Sequence, residues 1–279
     1  MQTTECPLTE AELNQFRRDG FVVARGLLST GEALAIRDAF MDQAKHGPVA
    51  GLSEIKAADG EQPLYTPSDP LAFYPRMMMP HQHPTREVGK IAMKYLTDAR
   101  IEAVLRELYG QPAYGLQTMF YFKPPGARGQ DFHQDNFYLR IKPGNCMAAW
   151  IALDDCDAEN GGMMCVPDTQ DYAIQCPEES DTTQSFTNHL VRIPNGKTAV
   201  LPTMKPGDVL FFNGSTIHGS GPNRSENRFR RSLICHYAPA DTLEMSHWYE
   251  AYDFSGQKLS HIAINQDGGP CGQAVTAPH

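Results

Sequence analysis

The stretch DFHQDNFYL, residues 131–139, combines the residue types of a buried strand with two groups that can bind a metal. Its aromatic and aliphatic residues predict a strand that enters the protein interior. Side chains two positions apart on a strand point the same way, so we expect His133 and Asp135 to share one face. An ionised carboxylate buried there is costly unless it is paired or bound to a metal. The stretch therefore predicts two metal ligands inside a β structure.

A third ligand is predicted from KPGDVLFFNGSTIHGSGPN, residues 205–223, in which turn residues flank the apolar run VLFF and His218 follows. Two histidines and one carboxylate on one side of a metal leave its other positions open, as in the non-haem Fe(II) oxygenases. Zinc held by two histidines, an aspartate and a water is the chemical alternative. A lone histidine on an apolar strand is more often a hydrogen-bonded core residue. The hypothesis of an iron site therefore depends on the sequence beyond His218.

An anion site is predicted in NRFRRSLICHYAP, residues 227–239. On a strand, Arg230 and Ser232 share a face and Arg231 points away. An inward guanidinium stays charged and needs an anionic partner, and a small-molecule carboxylate can accept two bonds from it and a third from the serine. 2-Oxoglutarate fits both sites, because its oxo-acid end can chelate the metal while its distal carboxylate reaches Arg230. The alternative is a pair of exposed arginines.

The chain of 279 residues is 41% hydrophobic, enough for a sizeable core, and its apolar runs change character near Gly110. Residues 8–46 predict helix, strand, helix. Thr9 predicts a capping box for the first helix, and Ser29 or Thr30 can cap the second. Helices are also predicted near 86–95 and 98–109, with Thr97 as the cap between them. Short strands separated by Gly, Pro, Asn and Asp follow, among them KTAVLPTM (197–204), and predict a β-barrel core. We expect one domain of three parts: a mostly helical layer and loop (1–110), the β core (111–240) and a C-terminal extension (241–279).

Composition excludes several functional classes. Net charge is −9 and no run of Lys or Arg occurs, so nucleic acid is not an expected partner. No apolar run approaches the ~18 residues of a membrane span, and the N-terminus does not resemble a signal peptide. The seven cysteines lack a C-x-x-C pair and are expected to be reduced, mostly buried thiols in a cytoplasmic protein. The expected partner is a small-molecule substrate, and the sequence leaves monomer and homodimer open.

The sequence also resembles the phytanoyl-CoA dioxygenase family of Fe(II)/2-oxoglutarate oxygenases. The segments DGFVVARGLLS, LQTMFYFKPPG, HQDNFYL, AAWIALDDCDAENGGMMCVP and IHGSGPNRSENRFRRSL are similar to family strands, in order and spacing. The resemblance implies a mainly β fold with flanking helices, the double-stranded β-helix or jelly roll. It implies His133, Asp135 and His218 as iron ligands and catalytic residues. For cosubstrate binding it implies Arg230, Gln117, Met119, Trp150 and Ser220, and the alternation of the strand adds Ser232.

The implied reaction is a hydroxylation or another oxidation of an unactivated C–H bond, which consumes O₂ and releases succinate and CO₂, with ascorbate as a reductant. Because related halogenases lack the carboxylate ligand, Asp135 favours oxidation over halogenation. Gln170 stands where the family often has a histidine that is not an iron ligand. Two other hypotheses remain: a metal-dependent enzyme without redox chemistry, which would not need the Arg230 site, and a binding protein on the same barrel.

The substrate is not indicated by any motif. The Gly- and Pro-rich segment 47–85 and the residues after His133 are where a substrate wall is expected, because binding residues concentrate on loops carried by a rigid scaffold. Five candidates follow from these positions and from the strand that carries Gln117: Arg76, His81, Lys123, Phe137 and Tyr138.

Overall fold

The N-terminal helices form where their capping residues predict. A computed structural model describes residues 6–55, 75–265 and 270–272. Helix α1 (Glu10–Asp19) begins at the Thr9–Glu12 capping box and ends at Gly20, whose φ of 79° is left-handed. Strand β1 (Phe21–Ala24) follows, and α2 (Thr30–Lys45) begins at a capping box of Ser29 with Glu32. Of the two caps proposed for α2, the structure uses Ser29.

The segment 47–85 is not structureless at its ends. Strands β2 (Ser53–Ile55) and β3 (Pro75–Met78) form an antiparallel pair, and a 3₁₀ turn (Pro80–Gln82) follows, while residues 56–74 lie outside the described part. Helices α3 (Glu87–Leu96) and α4 (Ala99–Tyr109) come next. Thr97, the predicted cap between the two helices, is the C-cap of α3, and its hydroxyl donates to the Met93 carbonyl. The N-cap of α4 is Asp98, whose carboxylate accepts the Arg100 backbone N–H.

The remaining elements are short strands and one short helix. They are β4 (Ala113–Tyr121), β5 (Gln130–His133), α5 (Asn136–Leu139), β6 (Met147–Ala152), β7 (Met163–Cys165), β8 (Glu178–Glu179), β9 (His189–Leu190), β10 (Val209–Asn213), β11 (His218–Ser220), β12 (Ser232–Pro239), β13 (Glu244–Met245), β14 (Ala251–Tyr252), β15 (Lys258–Leu259) and β16 (Ala263–Ile264), with a 3₁₀ turn at Pro270–Gly272. The predicted strand KTAVLPTM is instead an extended loop that makes isolated bridges at Val200 and Met204.

Two sheets build the core. The larger one runs β1-β10-β6-β12-β4-β14-β15, with β3 also paired to β4, and the smaller one runs β5-β11-β7. An apolar cluster that includes Met119, Trp150, Phe212 and Cys165 lies between the two sheets. A second cluster joins the other face of the larger sheet to the helices. This is the double-stranded β-helix, and its larger sheet also uses strands from outside residues 111–240.

One prediction about the cysteines is wrong. Cys176 and Cys271, 95 residues apart, form a disulfide with a Cα–Cα distance of 5.5 Å, while the other five cysteines are free thiols. The sequence could not indicate this pair, because tertiary folding alone brings such distant segments together. Among the described residues, no helix has the length and apolar character needed to cross a membrane.

Candidate active site

The predicted metal ligands meet where the smaller sheet brings two strands together. His133 ends β5 and pairs directly with His218, the first residue of β11. Oδ1 of Asp135 lies 3.6 Å from Nε2 of His133 and 3.3 Å from Nε2 of His218. All three side chains are buried, and one ligand atom from each lies within 4.8 Å of the others.

The reason for this convergence differs from the predicted one. Strand β5 ends at His133, and Asp135 has helical φ and ψ of −61° and −36° at the N-cap of α5. A tight turn, not strand alternation, therefore brings its carboxylate back beside the imidazole. Phe137, Tyr138 and Leu139 are correspondingly helical rather than part of a strand.

Hydrogen bonds orient all three groups toward one point. Nδ1 of His133 lies 2.8 Å from the Asp131 carbonyl oxygen, and Nδ1 of His218 lies 2.9 Å from that of Thr216. Since a carbonyl only accepts, each Nδ1 carries the proton and each Nε2 presents its lone pair. Two imidazole nitrogens and one carboxylate oxygen, buried and aimed together, fit a divalent transition metal, and this donor set is that of non-haem iron sites.

The predicted anion site adjoins this point. Arg230 is buried just before β12; its Nη1 donates to Ser232 Oγ at 3.2 Å and its Nε to the Gly161 carbonyl at 3.1 Å. Its guanidinium carbon lies 5.3 Å from the centroid of the Trp150 ring, a cation–π arrangement. Arg231 points the other way and holds Asp154 with two bonds of 2.7 Å. The predicted directions of the two arginines are thus confirmed.

A small cavity joins the two sites. Its wall is formed by Tyr121, Gln130, His133, Asp135, Trp150, Met163, Phe212, His218, Arg230, Ile234 and His236. Gln117 and Met119 are buried on the same face of β4 as Tyr121, paired with His236 and Ile234 of β12. The candidate metal ligands and Arg230 therefore line the same cavity.

Comparison with known proteins identifies the chain. The family model described as phytanoyl-CoA dioxygenase (PhyH) matches residues 16–232. The chain belongs to the phytanoyl-CoA dioxygenase family. Peroxisomal phytanoyl-CoA dioxygenase of Bos taurus is 25% identical over 235 residues, which cover 81% of this chain and 67% of the relative.

Two solved structures share the fold of this family member. The non-heme alpha ketoglutarate dependent carbocyclase SnoK of nogalamycin biosynthesis has a TM-score of 0.63 and 21% identity, with 85% of this chain and 86% of that one covered. The epimerase SnoN, in complex with Fe³⁺, alpha ketoglutarate and nogalamycin RO, has a TM-score of 0.59 and 20% identity, with 84% of each chain covered. As a member of this family, the chain is a 2-oxoglutarate-dependent dioxygenase that uses iron.

Three of the five substrate candidates in this dioxygenase contact residues of or beside the cavity wall, and a fourth, Phe137, packs behind one of them. The Tyr138 ring lies 6.4 Å from that of His133, between centroids, and Phe137 packs against Tyr138. Burial, followed by the charge of Asp135, raises the pKa of the Tyr138 hydroxyl. Arg76 of β3 donates to the hydroxyl of Tyr121, a wall residue, at 2.9 Å. Lys123 donates to Ser220 Oγ at 2.8 Å, two residues beyond His218.

His81 and Gln170 lie elsewhere. His81 bonds to Thr118, which the alternation of β4 places on the face opposite Gln117 and Met119, and burial lowers the pKa of this imidazole to about 4. The amide of Gln170 donates to the carbonyl groups of Arg17 and Arg18 at 3.3 Å each. In place of the family's usual histidine, Gln170 therefore caps the end of α1.

Two polar wall residues were not foreseen. Nε2 of His236 lies 3.0 Å from the second oxygen of Asp135, and the Gln130 amide nitrogen lies 3.1 Å from Nε2 of His133. The signal for His236 was present in the sequence, since it has the same strand parity as Ser232 on β12. Gln130 shows no comparable pattern, because its position depends on the pairing of β5 with β11.

Proposed function

We propose that this enzyme hydroxylates an unactivated C–H bond of a small-molecule metabolite, with release of succinate and CO₂. The observation that carries the proposal is one buried cavity lined by two histidine nitrogens, a carboxylate oxygen and a buried arginine. Bound iron would supply the activation of O₂, coupled to the oxidative decarboxylation of 2-oxoglutarate.

The proposed roles follow from the donor chemistry of each side chain. His133, Asp135 and His218 hold the metal from one side, which leaves positions for small ligands. The His236 side chain, 3.0 Å from Oδ2 of Asp135, keeps Oδ1 directed at the two histidines. Each role depends on a hydrogen bond that already exists in the protein, so the site is organised before the metal binds.

The cosubstrate site is proposed to be built around Arg230. Its guanidinium can hold a carboxylate with charge-assisted bonds while Ser232 and the Gly161 carbonyl keep it in place. The Trp150 ring supports its face. Gln117 and Met119 back this wall from β4, and Ser220 lies on the side of His218. The apolar walls of Met163, Phe212 and Ile234 exclude water from the reacting centre.

The substrate is proposed to enter along Arg76, Phe137 and Tyr138. Arg76 lies 5.7 Å and 5.8 Å from the ring centroids of Tyr121 and Phe186, so an aromatic frame surrounds its charge. Tyr138 OH lies 2.8 Å from Nδ1 of His189, which makes a polar edge beside the apolar ring of Phe137. Such a wall suits a small molecule with both polar and apolar parts.

The test is a succinate-release screen over a metabolite library with Fe(II), 2-oxoglutarate, ascorbate and O₂. We expect one substrate class to raise succinate release, and we expect Fe(II)-dependent binding of 2-oxoglutarate. His133→Ala should lose both, while the exposed His247→Ala should keep both. Absence of metal-dependent 2-oxoglutarate binding by the purified protein would refute the proposal, as would full turnover by His133→Ala.

The cytoplasmic location and the choice between monomer and homodimer stay predictions. Fractionation of cells that express the tagged chain tests the first, and analytical ultracentrifugation of the purified enzyme tests the second.

A further inference from the structure

Lys123 is a buried lysine held in an unusual backbone conformation beside the cosubstrate site. It follows β4 with a positive φ of 35°, which a residue with a Cβ rarely adopts. Its carbonyl accepts the Arg230 backbone N–H at 3.1 Å and the Asn223 amide at 3.1 Å. Local strain of this kind persists where the surroundings fix it, often at functional sites. The same segment therefore positions Lys123 and Arg230 together.

The ammonium group of Lys123 has little to compensate its charge. Its side chain is 1% exposed, and its Nζ donates to Ser220 Oγ at 2.8 Å. Within residues 6–55, 75–265 and 270–272, no carboxylate lies within ion-pair distance of this nitrogen. Burial and then the charge of Arg230 lower the pKa of the Lys123 amine well below its usual value. A buried amine without an acidic partner destabilises the fold, which suggests that an anionic ligand compensates it.

Gly161 forms the wall that Lys123 and Arg230 share. Its carbonyl accepts the Nε proton of Arg230. A Cβ at this position would lie 2.7 Å from Cε of Lys123 and 2.5 Å from the Gly221 carbonyl oxygen, and its φ is +71°. Only a glycine lets this turn approach the lysine so closely. The two cationic side chains therefore reach the same small volume from two sides.

Ser220 connects the lysine to the site. A serine hydroxyl has one proton to donate and lone pairs that accept, and its oxygen here accepts from Lys123. Its own proton has no acceptor in the described part of the chain. Ser220 also lies two residues beyond His218. It pairs with Gln130 and Met163, both of which line the cavity beside Arg230, so a ligand there can receive the Ser220 proton.

We propose that Lys123 and Ser220 form a second arm of the anion pocket, which holds the distal carboxylate of 2-oxoglutarate together with Arg230. Lys123 is a positioning residue: its Nζ donates to Ser220 Oγ, which leaves the Ser220 proton free to point toward the ligand. The bound carboxylate in turn favours the protonated form of the buried amine. This inference rests on the proposed cosubstrate site. It moves Lys123 from substrate contact to cosubstrate selection, and it predicts a preference for dicarboxylic 2-oxo acids over monocarboxylic ones.

The experiment compares two 2-oxo acids on the Fe(II) enzyme without O₂. 2-Oxopentanoate has the chain of 2-oxoglutarate with a methyl group instead of the distal carboxylate. We expect Lys123→Met to weaken 2-oxoglutarate binding about tenfold or more and to leave the weak binding of 2-oxopentanoate unchanged. Only the former acid has a distal carboxylate that can lose the Ser220 donor and the neighbouring positive charge. The control is Lys205→Met, whose side chain is 75% exposed and pairs with Asp155 at the surface.

A second pair of measurements separates positioning from general structural damage. Ser220→Ala should add little to the loss in Lys123→Met, because both residues act as one unit. In turnover, Lys123→Met should raise the KM for 2-oxoglutarate far more than it lowers kcat. An equal loss for both acids, or unchanged 2-oxoglutarate binding in Lys123→Met, overturns the inference alone. If the unmodified enzyme binds no 2-oxoglutarate, the cosubstrate site is wrong and the inference falls with it.

Discussion

The two faces of strand β4 show how one sequence segment carries stability and function separately. On one face, the Phe120 ring stacks on Phe40, with ring centroids 4.2 Å apart and planes within 3°. On the other face lie Gln117, Met119 and Tyr121, toward the cavity. The helix-facing side buries apolar area, which favours folding. The cavity-facing side buries polar groups such as the Gln117 amide, which oppose folding unless a partner or ligand compensates.

Substitutions on the two faces should therefore affect different quantities, stability on one side and binding or turnover on the other. A change on the cavity side should reduce binding or turnover with little loss of stability. A change on the helix side should reduce stability, while the molecules that remain folded keep their activity. Four predictions test this separation.

The largest effect is expected for Asp135→Ala. Loss of hydrogen-bonded neighbours of a metal ligand typically costs about 10–100-fold in metal affinity or activity, so loss of the ligand itself should lower succinate release by more than about 100-fold. The melting temperature should fall less than in Phe120→Ala, because removal of a buried carboxylate offsets part of the lost hydrogen bond to His236. Activity assays with thermal unfolding measure both quantities. Asp155→Asn at the surface is the control, and an active Asp135→Ala would contradict the assigned ligand set.

On the opposite face, Phe120→Ala should destabilise the fold. Removing a fully buried phenylalanine side chain leaves a cavity and costs about 3–5 kcal/mol. Denaturant titration measures the free energy of unfolding, and turnover per folded molecule should stay near the original value. A fall in turnover larger than the loss of folded protein would show that the two faces are coupled.

A smaller effect is expected at His236, whose ring holds the second oxygen of Asp135. His236→Phe keeps an aromatic ring without the donor and should weaken iron binding about 10–100-fold. His236→Gln, which keeps a donor, should recover part of that affinity. Competition with a chelator measures it. Equal iron affinity in all three proteins would show that the bond to Asp135 does not position the carboxylate.

The smallest effect is expected at Glu32, far from the cavity. Bonds from Arg100 and from the Ser29 backbone N–H lower the pKa of its carboxyl from 4.5 to about 2. A depressed pKa gives stability that is present above the unfolded value and is lost as pH falls toward 2. Glu32→Gln should therefore flatten the decline in unfolding free energy between about pH 4.5 and pH 2. An unchanged slope would contradict this role.

Local patterns were sufficient where a few neighbouring residues decide the structure. The capping box at Thr9 and a cap at Ser29 or Thr30 were predictable, because each involves contacts within a few positions. Thr97 caps the end of α3, as its place between the two helices predicted, while Asp98 caps the start of α4. KTAVLPTM is not a strand, because its backbone pairs only at Val200 and Met204, in isolated bridges rather than in a continuous ladder.

The site shows the same limit. His133, Asp135, His218 and Arg230 were predictable from residue type and spacing, because burying such groups together is costly without a ligand. The turn that directs Asp135 was not, since a strand and a strand-to-helix turn both place residues two apart on one side.

The sequence by itself determined the chemistry of this protein: two histidines and an aspartate for a metal, an arginine for an anion, and a family whose fold accommodates both. Only the tertiary structure decided which other side chains lie beside these groups. Pairing of β12 with β4 and β6 brings His236 to Asp135, and the approach of the Gly161 turn brings Lys123 to Arg230. The physical reason is distance along the chain. Contacts between strands a hundred residues apart depend on sheet order and register, which short-range patterns do not specify.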